Sequence, residues 1–308
     1  METLAVVIEK PGEVALRRLT LTALGPADLL VEIEWSGIST GTEKLLWTGR
    51  MPPFPGLGYP LVPGYESVGR VVDAGPEAQR FLGQRVFVPG ASCYRDARGL
   101  FGGAARRVIV PAARVVPVGA LGAEATLLAL AATAHHAIGD SLPELVVGHG
   151  VLGRLVARIA VARGGAPVVW EIDPARRVGA EGYSVISADA DTRRDYRVIC
   201  DASGAADLLD PLIARLAKGG EIVLAGFYDA PLSFAFPPAF MREARLRVAA
   251  EFAPADLAAV LDLVGAGRLS LAGLVTHVAP AGDAADAYGR AFEDRSCLKM
   301  LFDWREIA

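Results

Sequence analysis

Residues 144–173, ELVVGHGVLGRLVARIAVARGGAPVVWEID, constrain this chain more than any other stretch. The apolar run Leu145-Val146-Val147 reads as a strand, and Gly148-His149-Gly150-Val151-Leu152-Gly153 fits G-x-G-x-x-G and opens a helix. VVWEID is the next strand, so the whole is one βαβ unit of the kind that parallel sheets require. Gly148 permits the tight turn, Gly150 lets the backbone approach a pyrophosphate, and Gly153 lets the helix pack close to the strand. The helix N-terminus, which includes Val151 and Leu152, offers free N–H groups and a positive dipole end to phosphates. Glu171 lies 23 residues after Gly148. An acid there accepts hydrogen bonds from the adenosine ribose and repels a 2′-phosphate, which favours NAD over NADP. Arg176 and Arg177 follow closely and could attract a 2′-phosphate, so NADP stays open. Ser203, in RVICDASG (197–204), is counted with the cofactor residues. So is His149, whose side chain reads as solvent-facing.

Residues 1–118 read as mainly β. Runs such as LAVVIE (4–9), LLVEIEW (29–35), SVGRVVDAG (67–75), RVFVP (85–89) and RRVIVP (106–111) alternate apolar and polar residues. Turn signals at Pro11-Gly12, Gly25-Pro26, Gly75-Pro76 and Pro89-Gly90 bound them, which predicts a barrel-like β domain. An Ala/Leu-rich helix over about 123–138 leads into the βαβ unit. RVICDASG, a helix near 205–217 and GGEIVLAGF (219–227) continue the alternation, so residues 119–253 predict a doubly wound parallel sheet. Residues 254–308 hold amphipathic helices over 255–266 and 282–293 and strands near 274–278 and 298–303. The class is α/β.

Of 308 residues, 52% are hydrophobic and 21% charged, enough for two folded domains rather than a disordered chain. A formal charge of −4 without a Lys/Arg run argues against nucleic acid as a partner. Cys93, Cys200 and Cys297 form no C-x-x-C pair and no metal-ligand spacing, the usage of reduced cytoplasmic thiols. METLAVVIEKPGEV lacks the regions of a secretory signal. The most apolar stretch, ATLLALAATAHHAI (125–138), falls short of the about 20 residues that cross a bilayer. No transmembrane segment and a cytoplasmic location are expected.

SGISTGTE (36–43), PGYESVGRV (63–71), GQRVFVP (83–89), GGAARRVIVP (102–111), AATAHHAI (131–138), the glycine motif and KMLFD (299–303) together resemble the medium-chain dehydrogenase/reductase superfamily. The resemblance implies a GroES-like catalytic domain over 1–118, a Rossmann domain over 119–253, and a segment over 254–308 that returns to the catalytic domain. It also implies a homodimer through the edge of the cofactor sheet. Zinc-dependent members carry a cysteine after G-I, a histidine before the glutamate of P-G-H-E, and a third ligand in the helix before T-A-Y/H. This chain carries Ser39, Tyr65 and, approximately, Ala129 there, and of the four-cysteine lobe only Cys93 remains. A catalytic zinc takes about three protein ligands and a structural one four, so no metal is expected. ISTGTEKLLWTGRMPPFPGLGYPLVPGYESVG (38–69) further resembles the zinc-free branch of bacteriochlorophyll biosynthesis. That branch implies NAD-dependent oxidation of the C3 1-hydroxyethyl group of a bacteriochlorophyllide to acetyl, with the surface of the photosynthetic membrane as a further location. Two other readings stay open. One is a zinc-free NAD(P)H-dependent quinone or enone reductase, against which Glu171 argues; the other is a non-catalytic dinucleotide-binding pathway protein, against which the intact glycine motif argues.

Without zinc, a side chain must orient the substrate hydroxyl and pass on its proton. The resemblance makes Tyr65 the first candidate, its position facing the nicotinamide. An ordinary pKa of about 10 makes it a poor base unless a cation lies near, leaving a relay link or a ring that fills the vacated metal space. Ser39, Thr40 and Thr42 offer hydroxyls beside the same site or satisfy turn backbone. Glu66 stands behind the metal ligands in the family. Glu43 and Lys44 read as a solvated loop. His135 and His136 lie on the predicted helix, where either is a packed or surface histidine or the relay. Trp47, Met51, Phe54, Leu57 and Tyr59 could line a wide apolar cleft for a flat substrate, or anchor a proline-rich loop to the core.

Overall fold

The computed structural model describes all residues except Phe54, Asp229 and Ala308. Its contacts divide the chain into two units, Met1–Leu128 with Leu274–Ala308, and Ala129–Gly273. Elements are numbered in chain order.

In the first unit, β1 (Glu2–Lys10) and β2 (Glu13–Thr20) pair antiparallel across Pro11-Gly12, where Gly12 takes a φ of +79° that a side chain would strain. The alternation expected in β1 gives way to a run, Val6-Val7-Ile8, buried on both faces. The strand β2, absent from the sequence expectation, buries only Leu19 fully and so carries almost no apolar pattern. The larger sheet runs β14 (His277–Pro280), β15 (Met300–Asp303), β3 (Asp28–Ile38), β4 (Ser67–Ala74), β5 (Arg85–Val88) and β7 (Val116–Pro117), with β6 (Arg107–Pro111) also on β3. A short helix, α1 (Thr42–Thr48), follows β3. Near the C-terminus, α7 (Ala284–Glu293) buries Ala284, Ala287, Tyr288 and Ala291, one helical stripe, in the same core as the strands.

The strand β3 is the hub of this sheet, and its C-terminal end is held by charge. Lys299, ahead of β15, is 1% exposed and donates to Glu66 Oε2 at 2.6 Å and to the Ile38 carbonyl at 3.1 Å. Glu66, ahead of β4, is fully buried. One ammonium thus ties together the ends of three adjacent strands. Gly37 leaves the necessary room, because a Cβ there would come within 2.2 Å of Glu66 Oε2.

The second unit contains a sheet in the order β10 (Ser184–Ile186), β9 (Val168–Trp170), β8 (Leu145–Val147), β11 (Tyr196–Asp201), β12 (Leu216–Leu224) and β13 (Arg245–Val248). Every neighbouring pair is parallel. Counted from β8 this is the 3-2-1-4-5-6 order of a dinucleotide-binding sheet, with its switch point between β8 and β11. Its helices are α2 (Leu128–Ile138), α3 (Val151–Ala162), α4 (Leu209–Ile213), α5 (Phe236–Arg242) and α6 (Pro254–Gly265). The helix expected near 205–217 shrinks to α4, because Leu216 already begins β12. The helix α6 stays with this unit: Asp256 in its first turn accepts from both His135 and His136 of α2. The segment that rejoins the first unit therefore starts at Leu274, not at 254.

A buried charge stripped of its partner costs far more than the pair contributes. Lys299→Met should destabilise the protein by about 3–5 kcal/mol, read as the midpoint of urea unfolding, and Glu66→Gln added to it should recover part of the loss.

Candidate functional site

The glycine turn has the form its spacing predicts. At Gly148 φ is +94°. A Cβ on Gly153 would lie 1.9 Å from the Gly148 carbonyl, so only glycine lets α3 approach β8 this closely. A Cβ on Gly150 would meet nothing within 4 Å, which leaves open space against the backbone at the start of α3. That N-terminus carries no side-chain cap. These are the features a pyrophosphate uses.

Glu171 follows β9 and is 8% exposed. Its Oε2 accepts from the His149 N–H at 2.9 Å and its Oε1 from the Asp173 N–H at 2.8 Å. Each oxygen keeps a lone pair for a ribose hydroxyl. Arg177 donates to the carbonyls of Glu171 and Ile172. The backbone of Arg176 serves the turn, its carbonyl accepting from His149 Nδ1 at 2.6 Å and from Arg154 at 3.0 Å.

His149 corrects the expectation of a solvent-facing side chain, for it is fully buried. With Nδ1–H donated to a carbonyl, Nε2 accepts from the Tyr183 hydroxyl at 2.9 Å. Burial pushes its pKa down to about 4, so the ring is neutral at physiological pH and braces the turn. Ser203 stands beside Gly148 at the end of β11, its backbone 3.2 Å from where a Gly148 Cβ would lie. Its hydroxyl donates to Asp201 at 2.6 Å.

In the first unit the structure gathers several of the predicted hydroxyls. Ser39 Oγ and Tyr65 Oη are 2.7 Å apart, and Thr42 Oγ1 lies 3.5 Å from the same phenol. The Thr42 N–H donates to Ser39 Oγ at 3.3 Å. The Tyr65 ring packs against Phe101 with centroids 5.2 Å apart. Burial raises the Tyr65 pKa well above the ordinary phenol value, and the Glu66 and Glu43 carboxylates raise it further. Tyr65 is accordingly a protonated donor, not a base. Thr40 is exposed and hydrogen-bonds none of the described residues. Glu66 is committed to Lys299. His135 lies in the second unit, its Nδ1 donating to Asp256 at 2.8 Å.

Two further expectations change. Glu43 is not in a solvated loop; it is 1% exposed, while Lys44 beside it is exposed. The Glu43 carboxylate accepts from the Ser39 N–H at 3.2 Å and from the Tyr288 hydroxyl at 2.5 Å. Burial raises its pKa to about 7 against the lowering effect of those two bonds. The sequence held one signal: Glu43 sits three residues before Leu46 on the inward stripe of α1. Trp47, Met51, Leu57 and Tyr59 pack on the β core, Trp47 against Phe292 at 5.5 Å, which is the anchoring alternative. Phe54 lies outside the described residues.

The donors at the expected zinc positions do not fit the metal. Ser39 and Tyr65 present neutral hydroxyls already bonded to each other, and Ala129 presents a methyl group. The Cys93 thiol is buried, its pKa raised to about 11. Zinc takes thiolate, imidazole or carboxylate. No three His, Cys, Asp or Glu side chains group as a metal site among the described residues.

Residues 25–120 match the alcohol dehydrogenase GroES-like domain. In fold the chain resembles a short chain alcohol dehydrogenase from Escherichia coli CFT073 complexed with NADH, with 20% identity, TM-score 0.84, and 98% and 99% of the two chains covered. It also resembles a dehydrogenase of Sinorhizobium meliloti 1021 bound to NADP, with 21% identity, TM-score 0.81 and the same coverage. The fold is that of an NAD(P)-binding alcohol dehydrogenase, a GroES-like unit with a Rossmann unit. Sequence narrows this class: the chain is 57% identical to the 2-desacetyl-2-hydroxyethyl bacteriochlorophyllide A dehydrogenase of Rhodobacter capsulatus over 99% of both chains. The chain belongs to the family of that dehydrogenase.

The two motif glycines should part company on substitution. Gly150→Ala should keep its stability but raise the Kd for NAD⁺ about tenfold, or 1.4 kcal/mol, by calorimetric titration. Gly153→Ala should lose about 1–3 kcal/mol of stability through overpacking, seen in thermal unfolding.

Proposed function

We propose that this protein oxidises the 1-hydroxyethyl side chain of a bacteriochlorophyllide to acetyl, with NAD⁺ as oxidant, in bacteriochlorophyll a biosynthesis. The observation that carries the reading is 57% identity across 99% of both chains to a dehydrogenase of that substrate. Balanced, the reaction turns a secondary alcohol and NAD⁺ into a ketone, NADH and a proton. The bound dinucleotide supplies the acceptor for the hydride. The chain must bind that dinucleotide, hold the hydroxyl and conduct the proton.

Binding falls to Gly148 through Gly153 and to Glu171. The choice of NAD rests on Glu171, whose carboxylate is fixed by two backbone N–H groups where a 2′-phosphate would meet its charge. Holding the hydroxyl falls to Tyr65 and Ser39. Tyr65 keeps its proton and donates to the substrate oxygen, Ser39 Oγ holds the phenol in place, and the hydroxyl proton is released to solvent. The product carbonyl gains conjugation with the macrocycle, which lowers the demand on these groups.

A second copy of the chain is the proposed partner, through the open edge of β13. Val248 is 74% exposed there, with Phe240 and Met241 of α5 nearby in the chain at 66% and 71%. The strand β13 ends the order of its sheet, and an edge strand is a template for pairing. A cytoplasmic enzyme working at the photosynthetic membrane surface suits a hydrophobic macrocycle. No helix among the described residues is long and apolar enough to span a membrane.

Purified protein given NAD⁺ and 3-hydroxyethyl bacteriochlorophyllide a should produce the absorption shift of the acetyl product. No turnover by protein that binds NAD⁺ would overturn the reading. Tyr65→Phe should lower kcat at least about tenfold, a loss of 1.4 kcal/mol in the barrier, without weakening NAD⁺ binding. Sedimentation equilibrium should give twice the 32.3 kDa chain mass, and Val248→Lys should give the single chain.

A further inference from the structure

We propose that Glu43 is a positioning residue of the oxidation: its carboxylate, clamped between the Ser39 N–H and the Tyr288 hydroxyl, holds Ser39 on Tyr65, and its gain or loss of a proton tightens or loosens that hold. The inference rests on the reading of Ser39 and Tyr65 as the groups that hold the substrate hydroxyl.

Three observations carry it. First, Glu43 grips Ser39 from both sides, since its carboxylate accepts the Ser39 N–H at 3.2 Å and its own N–H donates to the Ser39 carbonyl at 3.0 Å. Ser39 Oγ is thereby fixed 2.7 Å from Tyr65 Oη. Second, the Tyr288 hydroxyl reaches Glu43 from α7 at 2.5 Å, the length of a bond to an ionised acceptor. Third, Glu43 is 1% exposed, so its charge is not screened by bulk water.

The titratable groups that face Glu43 are Tyr288 from α7, Lys299 ahead of β15, and Glu66 and Tyr65 ahead of β4. Lys299 is already paired with Glu66, so the cluster holds one excess carboxylate, and burial raises the Glu43 pKa to about 7. The ionised form offers both oxygens as acceptors to the two donors. The protonated form carries a hydroxyl on one oxygen, and either the Tyr288 hydroxyl turns to accept or the grip on Ser39 is lost. Oxidation should therefore quicken as pH rises through about 7.

The sign for stability is the opposite. A carboxyl whose pKa is about 7 folded and 4.5 unfolded stabilises the fold fully below the lower value, and that contribution is lost as pH rises to the upper one. Folding thus favours the protonated acid, and the working form carries the strain.

The test follows the pH dependence in wild type, Glu43→Gln and Tyr288→Phe. In wild type, kcat should rise through about pH 7. In Glu43→Gln that inflection should vanish and in Tyr288→Phe it should move upward, because a bond that favours the carboxylate is lost. Independently of turnover, the infrared C–O band of Tyr65, isolated as wild type minus Tyr65→Phe, should shift over the same pH range and stay still in Glu43→Gln. Melting temperature across pH 5–8 checks that each variant folds; the decline with pH should flatten in Glu43→Gln. A Tyr65 band and a rate profile unmoved in Glu43→Gln overturn the proposal, even if the stability profile changes. Failure of the wild type to oxidise the bacteriochlorophyllide overturns the proposed function instead, while the Tyr65 band still decides whether Glu43 governs the hydroxyl pair.

Discussion

The β unit is organised around a single buried ammonium. Lys299 reaches the Ile38 carbonyl and Glu66, and so closes the ends of β15, β3 and the segment entering β4 on one another. The side chains proposed to hold the substrate hydroxyl lie beside these contacts. Ser39 follows Ile38 directly, Tyr65 precedes Glu66 directly, and Tyr288 comes from the helix that packs under β15. With Lys299 seated, the two hydroxyls are brought to 2.7 Å by neighbours one bond away in the chain. A charge pair this deep gains little net stability against an apolar replacement, but it permits very few alternative registers.

The hydroxyl site shows how an alcohol dehydrogenase frame stands without zinc donors. A metal would lower the pKa of a bound alcohol and hold its oxygen. In its place stands a phenol whose pKa is driven up, not down, because burial and two carboxylates all oppose its ionisation. Tyr65 is suited to donate and to orient. The group poised to change charge near neutral pH lies one layer behind, at Glu43, where burial outweighs two favourable hydrogen bonds. Orientation and charge change are thus lodged on different residues, linked through the backbone of Ser39.

Much of this was legible in the chain. The motif at 148–153 with Glu171 predicted the dinucleotide turn, since its glycines answer to local steric needs that spacing alone expresses. The parallel order of β8–β13 followed from the βαβ alternation. The strand β2 was missed because a half-exposed hairpin arm buries only Leu19 fully. The extent of residues 254–308 was misjudged because α6 belongs where Asp256 finds two histidines, a contact 120 residues distant in sequence. His149 looked like a loop residue because glycines flank it, yet its ring fills the interior beneath Arg176 and Tyr183.

The sequence by itself determined the classes of element, the cofactor turn and the loss of every expected zinc ligand, because these depend on which residue occupies which local position. Only the tertiary structure decided what the ionisable groups do. Glu43, Glu66 and Lys299 are ordinary charged residues in the chain. Their roles come from burial and from partners more than 200 residues away, Tyr288 for Glu43 and Lys299 for Glu66. Charge energies in a protein depend on distance and on exclusion of water, and the chain acquires both only when it folds.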